Sequence, residues 1–173
     1  MKKILSILIV LVCFVFVLNL VAAQSTYVGA GKCKMCHKSE KQGEQFPKWE
    51  AGKHSKTIAA LSSDKAASVA AELGVSGTPA DSPECLKCHA PLYEKGAEFK
   101  AEGVTCEACH GPGSDYKKMS VMKDHAESVK NGMTEYGSPD KIKAQCLTCH
   151  SGPHSGTFDF DAAWAKIKHA KPE

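Results

Sequence analysis

The sequence predicts a mainly α, loop-rich single domain built around something other than its own side chains. Three observations carry that prediction. Apolar alternation with a period of two, the mark of a half-buried strand, is missing beyond Ala23. Several segments carry helix punctuation: serine ahead, proline in the first turn, glycine behind. Eight cysteines fall into four pairs of identical spacing, each followed at once by histidine.

The chain opens with Met1-Lys2-Lys3, an apolar run from Ile4 to Leu20, and Val21-Ala22-Ala23-Gln24. A basic start, an apolar stretch and small residues make a secretory signal peptide over residues 1–23, which leaves residues 24–173 as the domain. The rival reading is an uncleaved anchor, since the run is close to the shortest that spans a bilayer; the Val-Ala-Ala ending favours cleavage. Cys13 lies inside the run, not at its end as a lipoprotein cysteine would, and leaves with the leader. The expected location is the periplasm or the cell exterior.

Trp49, Ile58 and Leu61 have helical spacing, so the pattern predicts a helix over Trp49–Leu61 that carries His54. Ser62 or Ser63 caps a second, alanine-rich helix over Asp64–Leu73, stopped by Gly74. Gly74 to Pro83 is rich in glycine, proline and serine and reads as a loop. Gly111-Pro112-Gly113 forces a turn and lets backbone approach closely. Ser138-Pro139-Asp140 starts a helix, with serine as cap and proline in the first turn. Phe160, Trp164 and Ile167 form an i, i+4, i+7 stripe, expected to pack, with His169 at the end of its helix.

The cysteine pairs are Cys33/Cys36, Cys85/Cys88, Cys106/Cys109 and Cys146/Cys149, followed by His37, His89, His110 and His150. Disulfides suit an exported chain with an even count. Zinc suits the interval from Cys88 to Cys106. The histidines decide against both. With 8 histidines in 173 residues, four chance placements after four pairs would occur on the order of once in 10⁵ trials. Cys-x-x-Cys-His is the attachment signature of c-type haem. Its two thiols add to the two vinyl groups of a porphyrin, and the next residue offers an imidazole to the iron. The other ring nitrogen is expected to donate to a carbonyl or carboxylate. Four covalently bound haems c follow, and they must supply much of the apolar interior of so short a domain.

The other histidines are His54, His125, His154 and His169. His54, His125 and His169 are expected as distal ligands, not necessarily of the nearest motif. A second histidine gives a low-potential iron; methionine would raise the potential. His154, four residues after His150, cannot cap its neighbour's haem; it either caps the second haem, reaches another subunit, or sits exposed in a loop. The loop reading is the expectation, which leaves the iron at His89 open. Met119, Met122 and Met133 are expected to pack against porphyrin faces.

All 22 basic residues are lysine, against 19 acidic ones. Without arginine, the preferred fork for phosphates and base edges, nucleic-acid binding is excluded from the expectations.

The chain resembles the cytochrome c-554 family, tetrahaem electron acceptors of hydroxylamine oxidoreductase. The resemblance lies in Cys33-Lys34-Met35-Cys36-His37 with Trp49 and His54; Cys85-Leu86-Lys87-Cys88-His89; Gly103-Val104-Thr105-Cys106-Glu107-Ala108-Cys109-His110-Gly111-Pro112-Gly113; and Cys146-Leu147-Thr148-Cys149-His150 with Phe158-Asp159-Phe160-Asp161 and His169. It implies three bis-histidine haems, with His54, His125 and His169 on the distal positions, and a five-coordinate haem at His89. It also implies haems stacked in close pairs. The chain is shorter between the first two motifs and near the C-terminus, and His154 has no counterpart. The function expected is electron transfer between redox protein partners. The alternatives are reduction of nitric oxide or another small nitrogen oxide at an open second haem, a subunit of a conducting filament, and a membrane-anchored quinol oxidase that keeps residues 1–23.

Overall fold

Each Cys-x-x-Cys-His motif closes a helix. The computed structural model describes residues 24–169, so the leader and Pro172 lie outside the described residues. The four motif helices are α1 (Ala30–His37), α5 (Pro83–His89), α7 (Cys106–His110) and α10 (Pro139–His150). Helical spacing explains the placement. Residues i, i+3 and i+4 share one face, so both thiols and the imidazole point the same way.

Between them lie α2 (Gln45–Ala51), α3 (Thr57–Ala60), α4 (Asp64–Glu72), α6 (Ala97–Ala101), α8 (Met119–Met122) and α9 (His125–Lys130), and α11 (Phe160–Ile167) follows the last. No strand occurs among the described residues, as expected. The predicted caps are present. Ser63 accepts from the Ala66 amide and Ser138 from the Lys141 amide, and Pro139 occupies the first turn of α10. Gly74 takes φ +67° behind α4, and the next amide, that of Val75, donates back to Ala70 O at 2.8 Å.

The helix expected over Trp49–Leu61 is broken. Its chain leaves α2 at Gly52 with ψ 175°, makes a 3₁₀ turn over His54–Lys56, and resumes as α3. Side chains satisfy the carbonyls freed by the break: Ser55 Oγ donates to Glu50 O and Gly52 O, and Lys56 Nζ to Ala51 O. The break frees the His54 carbonyl to accept from the Val104 amide at 3.0 Å, which ties this segment to the third motif.

Few apolar side chains are buried among the described residues: Ala30, Phe46, Leu61, Ala70, Leu86, Ala90, Leu92, Phe99 and Tyr116. Leu61, Leu86 and Ala90 form one small cluster with Ile58, Ala80, Cys85 and Tyr93 around it. The stripe on α11 stacks Phe160 on Trp164 at 6.3 Å, yet no residue of that helix is buried. Met119 is also exposed, at 66%. These faces find no protein cover within the described chain.

Polar contacts join the N-terminal lead to the third motif. Buried Glu107, 2% exposed, accepts from the Val28 amide at 3.0 Å, the Gly29 amide at 2.8 Å and the Gly113 amide at 2.6 Å. Glu102 accepts from the Ala30 amide at the start of α1 and from Thr105 Oγ1. Trp49 Nε1 donates to Val104 O at 2.8 Å. The N-terminal lead and the end of α2 are thereby held against the third motif and the residues just before it.

Candidate haem centres

Folding brings the motif histidines against histidines from elsewhere in the chain. The rings of His54 and His150 face each other with centroids 6.2 Å apart, those of His110 and His169 at 5.9 Å, and those of His89 and His154 at 6.2 Å. A histidine nitrogen binds a first-row metal at about 2.0–2.1 Å with its ring centroid about 1.1 Å further back, so two imidazoles trans across one iron have centroids about 6.3 Å apart. All three pairs have that separation.

The second ring nitrogen is held where the ligand chemistry requires. His37 Nδ1 lies 3.2 Å from Gln45 Oε1, His89 Nδ1 3.3 Å from Thr57 O, and His169 Nδ1 3.3 Å from Ile167 O. An Nδ1–H donated to an oxygen leaves Nε2 with its lone pair. Phe158 stacks on the His150 ring at 4.4 Å and fixes its plane.

Burial favours the neutral, ligating form of His54, His89, His110 and His169. It pushes His110 down to about 4, helped by nearby His169 and His37. It also lowers His54, with His150 beside it, and His89, where the contact to Thr57 works against it and His154 with it. His169 is lowered by burial first, and further by Lys48 and His37.

None of the eight motif cysteines is fully buried, unusual for a residue type that is among the most buried. They meet across motifs. Cys33 and Cys106 are close enough to influence each other, which lowers the first thiol and raises the second. Burial raises Cys88, and so does the neighbouring Cys149 thiol. The first motif thus adjoins the third and the second adjoins the fourth; Cys109 in turn lies within electrostatic reach of Cys146 and Cys149.

The donors suit haem and not zinc. A structural zinc takes four protein ligands. Among the described residues no three histidine, cysteine or acidic side chains gather as such a site needs. Opposed pairs are what remain to be supplied when a porphyrin already provides four nitrogens.

His125 is placed differently from the other expected distal ligands. It starts α9, half-exposed, with Nδ1 3.9 Å from Glu135 Oε1. His37 and His125 are the two histidines outside the three pairs. His154 is an exposed turn residue, as expected, and its ring also lies 6.2 Å from that of His89. Its position four residues beyond a motif histidine was the sequence signal, and only the proximity of the second and fourth motifs gave it a destination.

Comparison with known proteins agrees with the chemistry. The family described as "Cytochrome c554 and c-prime" matches residues 32–111, which carry the first three motifs. Over its first three motifs the chain is thus similar to the cytochrome c554 family. Cytochrome c-554 of Nitrosomonas europaea is 26% identical over 144 residues, covering 75% of this chain and 59% of that protein, so the chain spans about three-fifths of its relative's length. The C-type polyheme cytochrome OmcB of Geobacter sulfurreducens is 25% identical over 97 residues, 49% of this chain and 11% of that protein. No solved structure matches. Similarity to c-type cytochromes supports covalently bound haem c. Among the described residues no helix is long and apolar enough to cross a membrane.

Proposed function

We propose that the chain is an exported tetrahaem electron carrier. Haem c is attached at Cys33/Cys36, Cys85/Cys88, Cys106/Cys109 and Cys146/Cys149, with His37, His89, His110 and His150 as proximal ligands. The observation that carries this reading is the meeting of imidazoles from distant parts of the chain at the separation of two trans ligands. His54 serves the site of His150, and His169 that of His110. His37 and His125, left over from the pairs, serve one site together, with Glu135 as the partner of His125 Nδ1.

Haem iron supplies a reversible one-electron change. The residues determine how cheaply it happens. Nδ1 contacts to Gln45, Thr57 and the Ile167 carbonyl hold the rings in one orientation, so little rearranges when the charge changes. Histidine in both axial positions keeps the potential low. Thiols of neighbouring motifs lie close enough to influence each other, which puts the attachment points side by side within one chain.

The partners are a donor and an acceptor protein. Surface lysines, the only cationic side chains besides histidine, suit an acidic partner, with association slowing as salt rises. Residues 1–23 serve as the export leader, and the periplasm or the exterior is the place of work.

The mass of the purified mature protein tests this reading. Four covalent haems on a chain that begins at Gln24 are expected. Fewer than four would sink the tetrahaem assignment, and a retained leader would sink the exported, soluble one.

A further inference from the structure

The second motif is the one for which neither spacing nor resemblance assigns a distal ligand. We infer that His154 closes the iron held by His89, so that every haem of this chain is six-coordinate. The inference rests on the tetrahaem reading and adds a ligand to it.

The geometry at His89 matches the other pairs. The rings of His89 and His154 stand 6.2 Å apart and only 17° from parallel, the separation of two imidazoles with one iron between them. His89 Nδ1 lies 3.3 Å from Thr57 O, which leaves Nε2 as the nitrogen free to ligate. Thr57 Oγ1 also donates to the His89 carbonyl, so the same residue fixes both the backbone and the ring.

The connection explains why His154 serves this site and not its own motif's. Four residues after His150 is too short a path to pass from one face of a porphyrin to the other. The chain just beyond α10 lies beside the second motif, where the His154 ring comes within 6.2 Å of that of His89. The turn after α10 is then pinned in place. Ser151 Oγ donates to Leu147 O at 2.7 Å, Ser155 Oγ to Cys149 O at 3.3 Å, and the Ser155 amide to Gly152 O at 3.0 Å. Gly156, at φ +63°, turns the chain back toward Phe158. His154 sits at the tip of this braced turn and projects onto the neighbouring site.

A closed second iron has no coordination position for a small nitrogen oxide. It removes the feature on which catalysis at this site would depend. A histidine already satisfied within its own chain is also not free to ligate a haem of a second subunit.

The test uses the holoprotein after its haem count has been confirmed by mass. Wild type is expected to show only low-spin ferric haem by electron paramagnetic resonance, and the reduced protein to take up no carbon monoxide or nitric oxide. His154→Ala should create one high-spin haem per chain that binds one equivalent of either gas. His154→Met, which keeps a ligand, should show a sulfur-to-iron charge-transfer band and one raised potential. A wild type with one high-spin haem would overturn the inference. So would a His154→Ala protein that stays wholly low-spin. Should His154→Ala fail to accumulate, the wild-type spectrum and the methionine variant decide the question alone. A haem count below four would instead fault the tetrahaem reading, and it is read before any spectrum.

Discussion

Replacing Glu107 with alanine should cost this protein more than any other exchange of a carboxylate. The side chain is 2% exposed and its two oxygens accept from three backbone amides, those of Val28, Gly29 and Gly113. Hydrogen bonds to a charged acceptor contribute about 1.5–3 kcal/mol each, and a buried N–H left without a partner costs its desolvation. Water admitted to the vacated site offsets part of that, and a net loss of about 4 kcal/mol follows. Glutamine should recover only part of it. Its single acceptor oxygen can keep the Gly113 contact, while its NH₂ faces the Gly29 amide. The assay is urea unfolding of the holoprotein, followed by far-UV dichroism and the haem Soret band together. At about 2 kcal/mol per molar urea, the midpoint should fall by about 2 M. Glu98→Ala, an exposed change on α6, should stay within about 0.5 kcal/mol of wild type. A Glu107→Ala midpoint within about 0.3 M of wild type would refute the argument that this carboxylate binds the N-terminal lead to the third motif.

Three further outcomes are expected. The chain without haem, made by exchanging all eight motif cysteines for serine, should lack cooperative melting and near-native far-UV dichroism, because the few buried apolar residues cannot hold the fold; a cooperative transition would contradict this. Gly111→Ala should destabilise the holoprotein by about 2–3 kcal/mol in the same urea assay, since φ is +78° and a Cβ would stand 2.9 Å from the Gly132 carbonyl oxygen; an unchanged midpoint would show that the turn relaxes freely. His169→Met should raise the potential of one haem and leave the others nearly in place in a spectroelectrochemical titration, and a uniform shift or none would separate His169 from His110.

The arrangement of each Cys-x-x-Cys-His motif on one helical face was legible because it is local. Cysteine, cysteine and histidine at i, i+3 and i+4 occupy one helical face wherever the helix is placed. All four motifs do end helices. The caps at Ser63 and Ser138 and the stop at Gly74 were legible for the same reason, being hydrogen bonds between near neighbours. The long helix expected at Trp49–Leu61 was not there, because apolar spacing carries no record of the tertiary bond from Val104 to the His54 carbonyl that the break at Gly52 permits.

Which histidine faces which motif was decided by tertiary structure alone. His54 lies beyond the first motif yet faces His150 of the fourth, and His169 lies beyond the fourth yet faces His110 of the third. The intervals along the chain point the other way. Glu107 is equally invisible in sequence, one acidic residue inside a motif, yet it gathers amides from residues some eighty positions apart. An i, i+3, i+4 face is a property of a single helix and can be read from a string of residues. An axial pair is a meeting of two segments across a haem, and only the folded chain contains it.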